Sequence, residues 1–209
     1  MIRPIVLVLL CALLIQLLLA DPVCDDLYIH GKNKKRTVVK SLFSEEECSK
    51  IINEGGVYAK KHTWLKNRHV RYSTTDNEVT DTWSVWDMIK NKISKMMYPK
   101  IAKMYNINQS KLGIKEVFLV KYSENGQRKL EYHKDGCEFS FIVALNDQFQ
   151  GGGTTFKHDQ KNIQLRIGDT LLFSGRNEHK GNEITLGTRY ILAGFLNYGG
   201  NHYCTIRTS

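Results

Sequence analysis

The chain has 209 residues, of which 42% are hydrophobic and 24% charged, with 16 Gly, 3 Pro and a formal net charge of +9. That length carries one domain with a sizeable core rather than two full ones, and the composition excludes a disordered chain, a collagen-like repeat and a low-complexity tract. The positive balance suits acidic partners, nucleic acid, an anionic membrane or simply a solvated basic face; no zinc-finger spacing or RNA-stacking aromatic motif accompanies it, so no nucleic-acid partner is expected.

Residues 1–20 begin with Arg3-Pro4 and continue as an apolar run from Ile5 to Ala20, interrupted only by Gln16. A positive start before a short apolar run is the layout of a secretory signal peptide. Sixteen residues is just under the roughly 17–25 of a membrane span. Leu18 stands where a small residue is preferred before cleavage after Ala20, so residues 5–20 also read as a signal anchor holding the chain in a membrane; a buried helix is the third reading. Signal or anchor, the domain belongs to the secretory pathway, in the endoplasmic reticulum lumen or outside the cell. Cys11 lies in the apolar run, and Cys24, Cys48, Cys137 and Cys204 allow three pairings. A Cys24–Cys204 bridge joining the two ends is one expectation, free or buried thiols the other. Asn108-Gln109-Ser110 is a glycosylation sequon.

Residues 21–40 form a basic stem, with Lys32, Lys34, Lys35 and Arg36 close together. Val38 to Phe43 reads as a short strand. Ser44 and Glu47 form a capping box, which predicts a helix to about Asn53, ended by Gly55-Gly56. Residues 57–80 read as loops with at most one strand. From about Thr82, Val85, Met88, Ile89, Ile93, Met96 and Met97 recur at helical spacing, with Asp81 or Thr82 as cap; Pro99 kinks or restarts this helix, and a second piece runs to about Tyr105. After residue 113 the character changes. Val117 to Val120 is a strand, Ser123 to Gly126 a turn, and short β-like runs follow at 130–135, 138–145, 154–156, 163–167, 170–173, 177–183 and 189–197. Gly151-Gly152-Gly153 and Gly168-Asp169 punctuate them. A helical part over 41–112 and a strand-rich part over 113–200, within one domain over 41–209, predict an α+β protein with N-terminal helices packed against a β-sandwich or barrel.

The candidate chemistry lies in the strand-rich part. His133 and Asp135 are two apart on a predicted strand and so share a face. An imidazole and a carboxylate on one inward face can bind the same metal, and one further His completes a two-His-one-carboxylate triad that leaves three positions of an octahedral Fe(II) open. The pair alone is weak, since His-x-Asp arises by chance. His179 follows Asp135 by 44 residues on another predicted strand, and Arg189 follows His179 by ten at the head of an apolar strand. A cation in such a strand asks for an anion: the distal carboxylate of a dicarboxylic co-substrate, or an internal partner such as Asp169.

The stretches His133 to Asp135, Phe139 to Asn146, Gly151 to Phe156 and Gly187 to Ile191 resemble the catalytic domains of Fe(II)/2-oxoglutarate dioxygenases that hydroxylate peptidyl proline and lysine, procollagen lysyl hydroxylases above all. The resemblance implies a double-stranded β-helix (jelly-roll) core with the N-terminal helices packed against it. It implies Fe(II) held by His133, Asp135 and His179, with 2-oxoglutarate gripped by Arg189 and contacted by Tyr122. It further implies L-ascorbate to maintain the iron, O2 as oxidant, succinate and CO2 as products, and a peptide or protein substrate, possible collagen-like sequences included. Arg189, where prolyl 4-hydroxylases usually carry lysine, and Val143-Ala144 lean toward the lysyl type. The chain departs from lysyl hydroxylases in having no glycosyltransferase domains and a shorter segment, Gly175 to Glu178, before His179. A nucleic-acid demethylase of the same superfamily is one alternative, but its usual second arginine would fall at Phe195. A non-catalytic jelly-roll binding module is the other, and it would not need these four residues in order. His62 and His69 lie in a basic loop that can hold substrate, His30, His158 and His202 read as surface residues, and Cys137 reads as a small core residue rather than a ligand. Target residue and oligomeric state are not legible.

Overall fold

The computed structural model describes residues 34–66 and 72–199. The signal or anchor at 1–20, most of the stem, the Cys24–Cys204 pairing, His30, His69 and His202 lie outside the described residues. No helix among those described is long and apolar enough to cross a membrane.

The chain enters through β1 (Arg36–Val39) and α1 (Glu45–His62). Ser44 caps α1 as its sequence dictates: its side chain accepts from the Glu47 amide, and the Glu47 carboxylate accepts from the Ser44 amide at 2.7 Å. The helix does not stop at Gly55-Gly56 but runs on to His62. Gly55 is there for close approach: a Cβ on it would lie 2.1 Å from Leu119 Cδ2. Glycine marks a helix end only when it sits past the last buried turn, and Gly55 sits in the buried stripe with Cys48 and Ile51. Gly55→Ala is expected to force Leu119 aside and cost about 1–3 kcal/mol, read as a lowered melting temperature with an unchanged helix content.

The next elements are β2 (Asp76–Glu78), α2 (Trp86–Lys92), a π-helical turn (Ile93–Met97) and α3 (Tyr98–Tyr105). Neither Asp81 nor Thr82 caps α2. Glu54 of α1 does so from the neighbouring helix, its carboxylate accepting from the Ser84 and Val85 amides at 2.5 and 3.2 Å. Pro99 stands just past the π-helical turn, and Met97 and Tyr98 keep right-handed helical angles, so the helix continues through this junction rather than restarting.

Eleven strands lie among the described residues, and nine of them run from Leu112 onward. They are β3 (Leu112–Ser123), β4 (Leu130–His133), β5 (Phe139–Ala144), β6 (Phe149–Gly151), β7 (Thr154–Phe156), β8 (Asn162–Ile163), β9 (Thr170–Ser174), β10 (His179–Gly181) and β11 (Ile184–Tyr198). A major sheet runs β1-β9-β5-β11-β3-β2 with β6 added against β11, and a minor sheet runs β4-β10-β7-β8. This is the double-stranded β-helix with helices against it, as the sequence predicts.

Strand parity separates two cores. Val117 and Leu119 of β3, Phe139, Phe141 and Val143 of β5, Leu172 of β9 and Leu192 of β11 pack with the helices. Phe118, Val120 and Tyr122, Ile142, Leu171 and Phe173, and Ile191 and Ala193 face the minor sheet. Alternation thus lets one sheet bury helices on one side and a cavity on the other.

Asp169 locks the entry to α1. It accepts from Lys40 Nζ at 2.8 Å and from the Ser41 amide at 3.0 Å, holding Ser41 at a positive φ of 47°. It therefore serves Lys40 and Ser41, not Arg189. Burial works to raise its carboxyl, and these donors overcome that and hold it below the ordinary carboxylate range. A lowered carboxyl stabilises the fold above its unfolded value of about 3.9 and loses that contribution as pH falls through the folded value. Asp169→Asn is expected to cost about 1–2 kcal/mol at neutral pH, and the gap from wild type should narrow once the pH of the melt falls below about 3.9 and close only below the lowered folded value.

Candidate metal centre and co-substrate pocket

His133 ends β4 and His179 opens β10, and the two are paired directly across the minor sheet, with ring centroids 4.3 Å apart. Both are more than nine-tenths buried. Asp135 is not on the strand: β4 stops at His133, and the Asp135 amide instead donates to the Gly175 carbonyl at 2.8 Å. The turn still brings the carboxylate to both rings, with Oδ1 3.3 Å from His133 Nε2 and Oδ2 3.9 Å from His179 Nε2. One donor atom from each residue lies within 4.8 Å of the others, and among the described residues no other group of His, Cys, Asp or Glu is so arranged.

The tautomers are set from behind. His133 Nδ1 lies 2.8 Å from the Glu131 carbonyl and His179 Nδ1 lies 2.9 Å from the Asn177 carbonyl. A carbonyl only accepts, so each Nδ1 carries a proton. Burial works to lower the His133 ring, but the hydrogen bond from its Nε2 to Asp135 Oδ1 and the charge of that carboxylate raise it above its ordinary value; a metal would displace that proton and take the lone pair. Burial acts to raise the Asp135 carboxyl, but His179, His133 and Ser140 hold it below its ordinary value. Burial also keeps the His179 imidazole neutral. A carboxylate and two lone pairs, each braced by a hydrogen bond behind it, form the N,N,O donor set that a divalent first-row metal takes.

The triad opens into a cavity of about 710 Å³ that also contains Tyr122 and Arg189. Arg189 pairs with Tyr122 across β11 and β3, and its guanidinium carbon lies 5.8 Å from the Tyr122 ring centre. Arg189 is 4% exposed and its guanidinium donates to the Gly153 carbonyl at 3.3 Å; no carboxylate pairs with it among the described residues. That carbonyl is carried by Gly151-Gly152-Gly153, whose φ angles of 83°, 72° and 92° only glycine adopts in succession. Burial pulls the guanidinium below its ordinary value and pushes the Tyr122 phenol up to about 12, so the phenol keeps its proton. The remaining wall is largely apolar, with Phe118, Ile142, Phe173 and Ile191 among it.

No family model matches the chain. Human procollagen-lysine,2-oxoglutarate 5-dioxygenase 2 is 31% identical over 170 residues, which cover 74% of this chain and 22% of that protein. The chain belongs to the Fe(II)/2-oxoglutarate-dependent dioxygenase superfamily. It spans about a fifth of the length of that curated relative. Among solved structures, a Pseudomonas putida prolyl-4-hydroxylase superposes with a TM-score of 0.64 at 14% identity, over 86% of this chain and 98% of that one. A viral collagen prolyl hydroxylase from Paramecium bursaria Chlorella virus-1 superposes with a TM-score of 0.61 at 17% identity, over 79% and 96%. These likenesses establish the jelly-roll fold of this superfamily member.

All five residues singled out in the sequence converge in this dioxygenase fold. The other described histidines do not join them: His62 closes α1 and stacks on Tyr58 at 4.4 Å, and His158 meets Arg36 at 3.0 Å. Cys137 is a buried free thiol outside the donor set. Phe195, where a demethylase would place its second arginine, packs edge-on to Phe118 at 5.1 Å. Two residues escaped the sequence reading. Tyr72 lines the cavity and stacks 5.2 Å from the His133 ring, and nothing in its neighbourhood marks it. Ser140 donates to Asp135 Oδ2 at 2.5 Å; its signal was an isolated polar residue between Phe139 and Phe141.

Proposed function

We propose that this chain is an Fe(II)- and 2-oxoglutarate-dependent peptidyl hydroxylase, acting on proline or lysine in a collagen-like sequence and releasing succinate and CO2. The observation that carries the reading is the buried Arg189, without a carboxylate partner among the described residues, in the same cavity as His133, Asp135 and His179. Burying a cation unpaired costs several kcal/mol, and a fork of donors in the wall of this cavity suits a carboxylate entering from solvent.

In this reading His133, Asp135 and His179 would hold the iron. The iron supplies the activation of O2 that no side chain here can provide. The chain's own residues do the rest. Arg189 binds the far carboxylate of 2-oxoglutarate, and the protonated Tyr122 phenol donates to an oxygen of the same molecule. Phe118, Ile142 and Phe173 exclude water from the reacting end, which suppresses uncoupled turnover. L-ascorbate belongs to the same proposal, as the reductant that restores iron to its ferrous state. So do the leader or anchor at 1–20, the stem at 21–40, the catalytic domain at 41–209 and a secretory-pathway address.

Succinate release in the presence of Fe(II), 2-oxoglutarate and ascorbate tests the reading against a panel of proline-rich and lysine-containing collagen-like peptides. The expected result is peptide-dependent release with one oxygen added to the peptide by mass spectrometry. Turnover of free amino acids or small metabolites alone would overturn the peptidyl assignment.

A further inference from the structure

Ser140 is the second residue of β5 and is 1% exposed. Its neighbours Phe139 and Phe141 turn into the helix-side core, so strand alternation directs Ser140 into the cavity wall. A hydroxyl there is costly unless it is bonded. Its one proton goes to Asp135 Oδ2 at 2.5 Å, because a carboxylate only accepts. The Cys137 thiol lies 3.2 Å from Ser140 Oγ and 3.2 Å from the Phe139 carbonyl. The Phe139 carbonyl can only accept, so the thiol's single proton goes there and its sulfur packs against Ser140 Oγ without donating to it. Asp135 itself sits past the end of β4, so no strand ladder sets its side-chain rotation. Its amide bond to Gly175 anchors the backbone alone.

Resting on the metal-centre reading above, we propose that Ser140 is a positioning residue. It holds Asp135 Oδ2 and limits the carboxylate to a single metal-facing oxygen, Oδ1. The consequence is a count of coordination positions. Two imidazoles and one carboxylate oxygen leave three of six positions free, enough for a bidentate 2-oxo acid and O2. A carboxylate free to rotate can offer both oxygens and take one of those three. Ser140 therefore protects the position that the oxidant needs, without touching substrate or metal.

The test uses Co(II), whose visible spectrum reports coordination number, on the full chain and on three variants. Ser140→Ala removes the hydroxyl. Ser140→Cys keeps the volume with a far weaker donor, and stands in if alanine fails to fold. Ser140→Thr retains the hydroxyl. The expected result is Co(II) affinity lowered about 10–100-fold in Ser140→Ala and Ser140→Cys, as for loss of a ligand's supporting hydrogen bond. Their spectra should shift in intensity, while Ser140→Thr should stay within about threefold of wild type. Wild-type binding with an alanine or cysteine variant of identical affinity and spectrum overturns the inference alone. So does a threonine variant that falls as far as alanine. Failure of the wild type to bind Co(II) overturns the metal-centre reading, and the inference with it.

Discussion

Arg189→Leu is expected to raise the 2-oxoglutarate concentration needed for half-maximal succinate release by roughly 10²–10³-fold, the cost of losing one side of a buried, hydrogen-bonded charge pair. The same variant should melt higher than wild type in the absence of co-substrate. Both signs follow from one fact. Arg189 is buried with only the Gly153 carbonyl at 3.3 Å as acceptor and no carboxylate beside it among the described residues. A leucine in that strand relieves the desolvation of the cation, a gain of about 1–4 kcal/mol where buried ions have been replaced by hydrocarbon. Added 2-oxoglutarate should then raise the melting temperature of the wild type and leave Arg189→Leu unmoved. A variant that melts lower under both conditions and keeps its co-substrate requirement would make Arg189 a structural residue and remove the main support for the function.

His179→Ala and Asp135→Asn are expected to abolish both succinate release and metal-dependent stabilisation. Wild-type protein with a divalent metal at a hundred times its dissociation constant gains about 2.7 kcal/mol of stability. At this size that is about 5–10 °C in melting temperature. The gain exists because the donors are already assembled. The two imidazoles face each other across β4 and β10, each held by a backbone carbonyl, and the carboxylate bridges them. Without metal, His179→Ala deletes one ring from a stack against Phe173 and Phe156 and should lower the melting temperature. Adding metal separates the two effects: the variant's melting curve should be the same with and without it. A metal-dependent rise retained in either variant would mean that the cation binds elsewhere.

The cluster was legible in the sequence because polar and charged side chains are costly to bury alone. A His-x-Asp pair, a later His and an Arg in an apolar run each ask for a partner, and the fold brings all four to one cavity. The helices were legible where caps and periodicity agree, as at Ser44 and Glu47. Reading failed where a residue's role depends on something distant. Gly55-Gly56 looks like a stop, but Gly55 makes room for Leu119, which follows 64 residues later. The cap of α2 comes from Glu54 on another helix, and the donors around Asp169 come from the start of the chain. The strand assigned to Asp135 ended two residues early. The same-face argument therefore reached the right pair by a wrong route: a turn, not a pleat, brings the carboxylate to the imidazoles.

The two sheets differ greatly in reach. β3 and β11 run for 12 and 15 residues, whereas β4, β10, β7 and β8 have 4, 3, 3 and 2. Two of the three donors sit on that short sheet. Its amides should therefore exchange with deuterium well before those at the centre of β11, and a bound cation should slow them selectively, as a rivet stiffens a thin panel. On the proposed function, the wall that yields would be the wall that carries two of the three donors, so an incoming peptide would be admitted by local breathing of the short strands while the long ones hold Arg189 and Tyr122 in register.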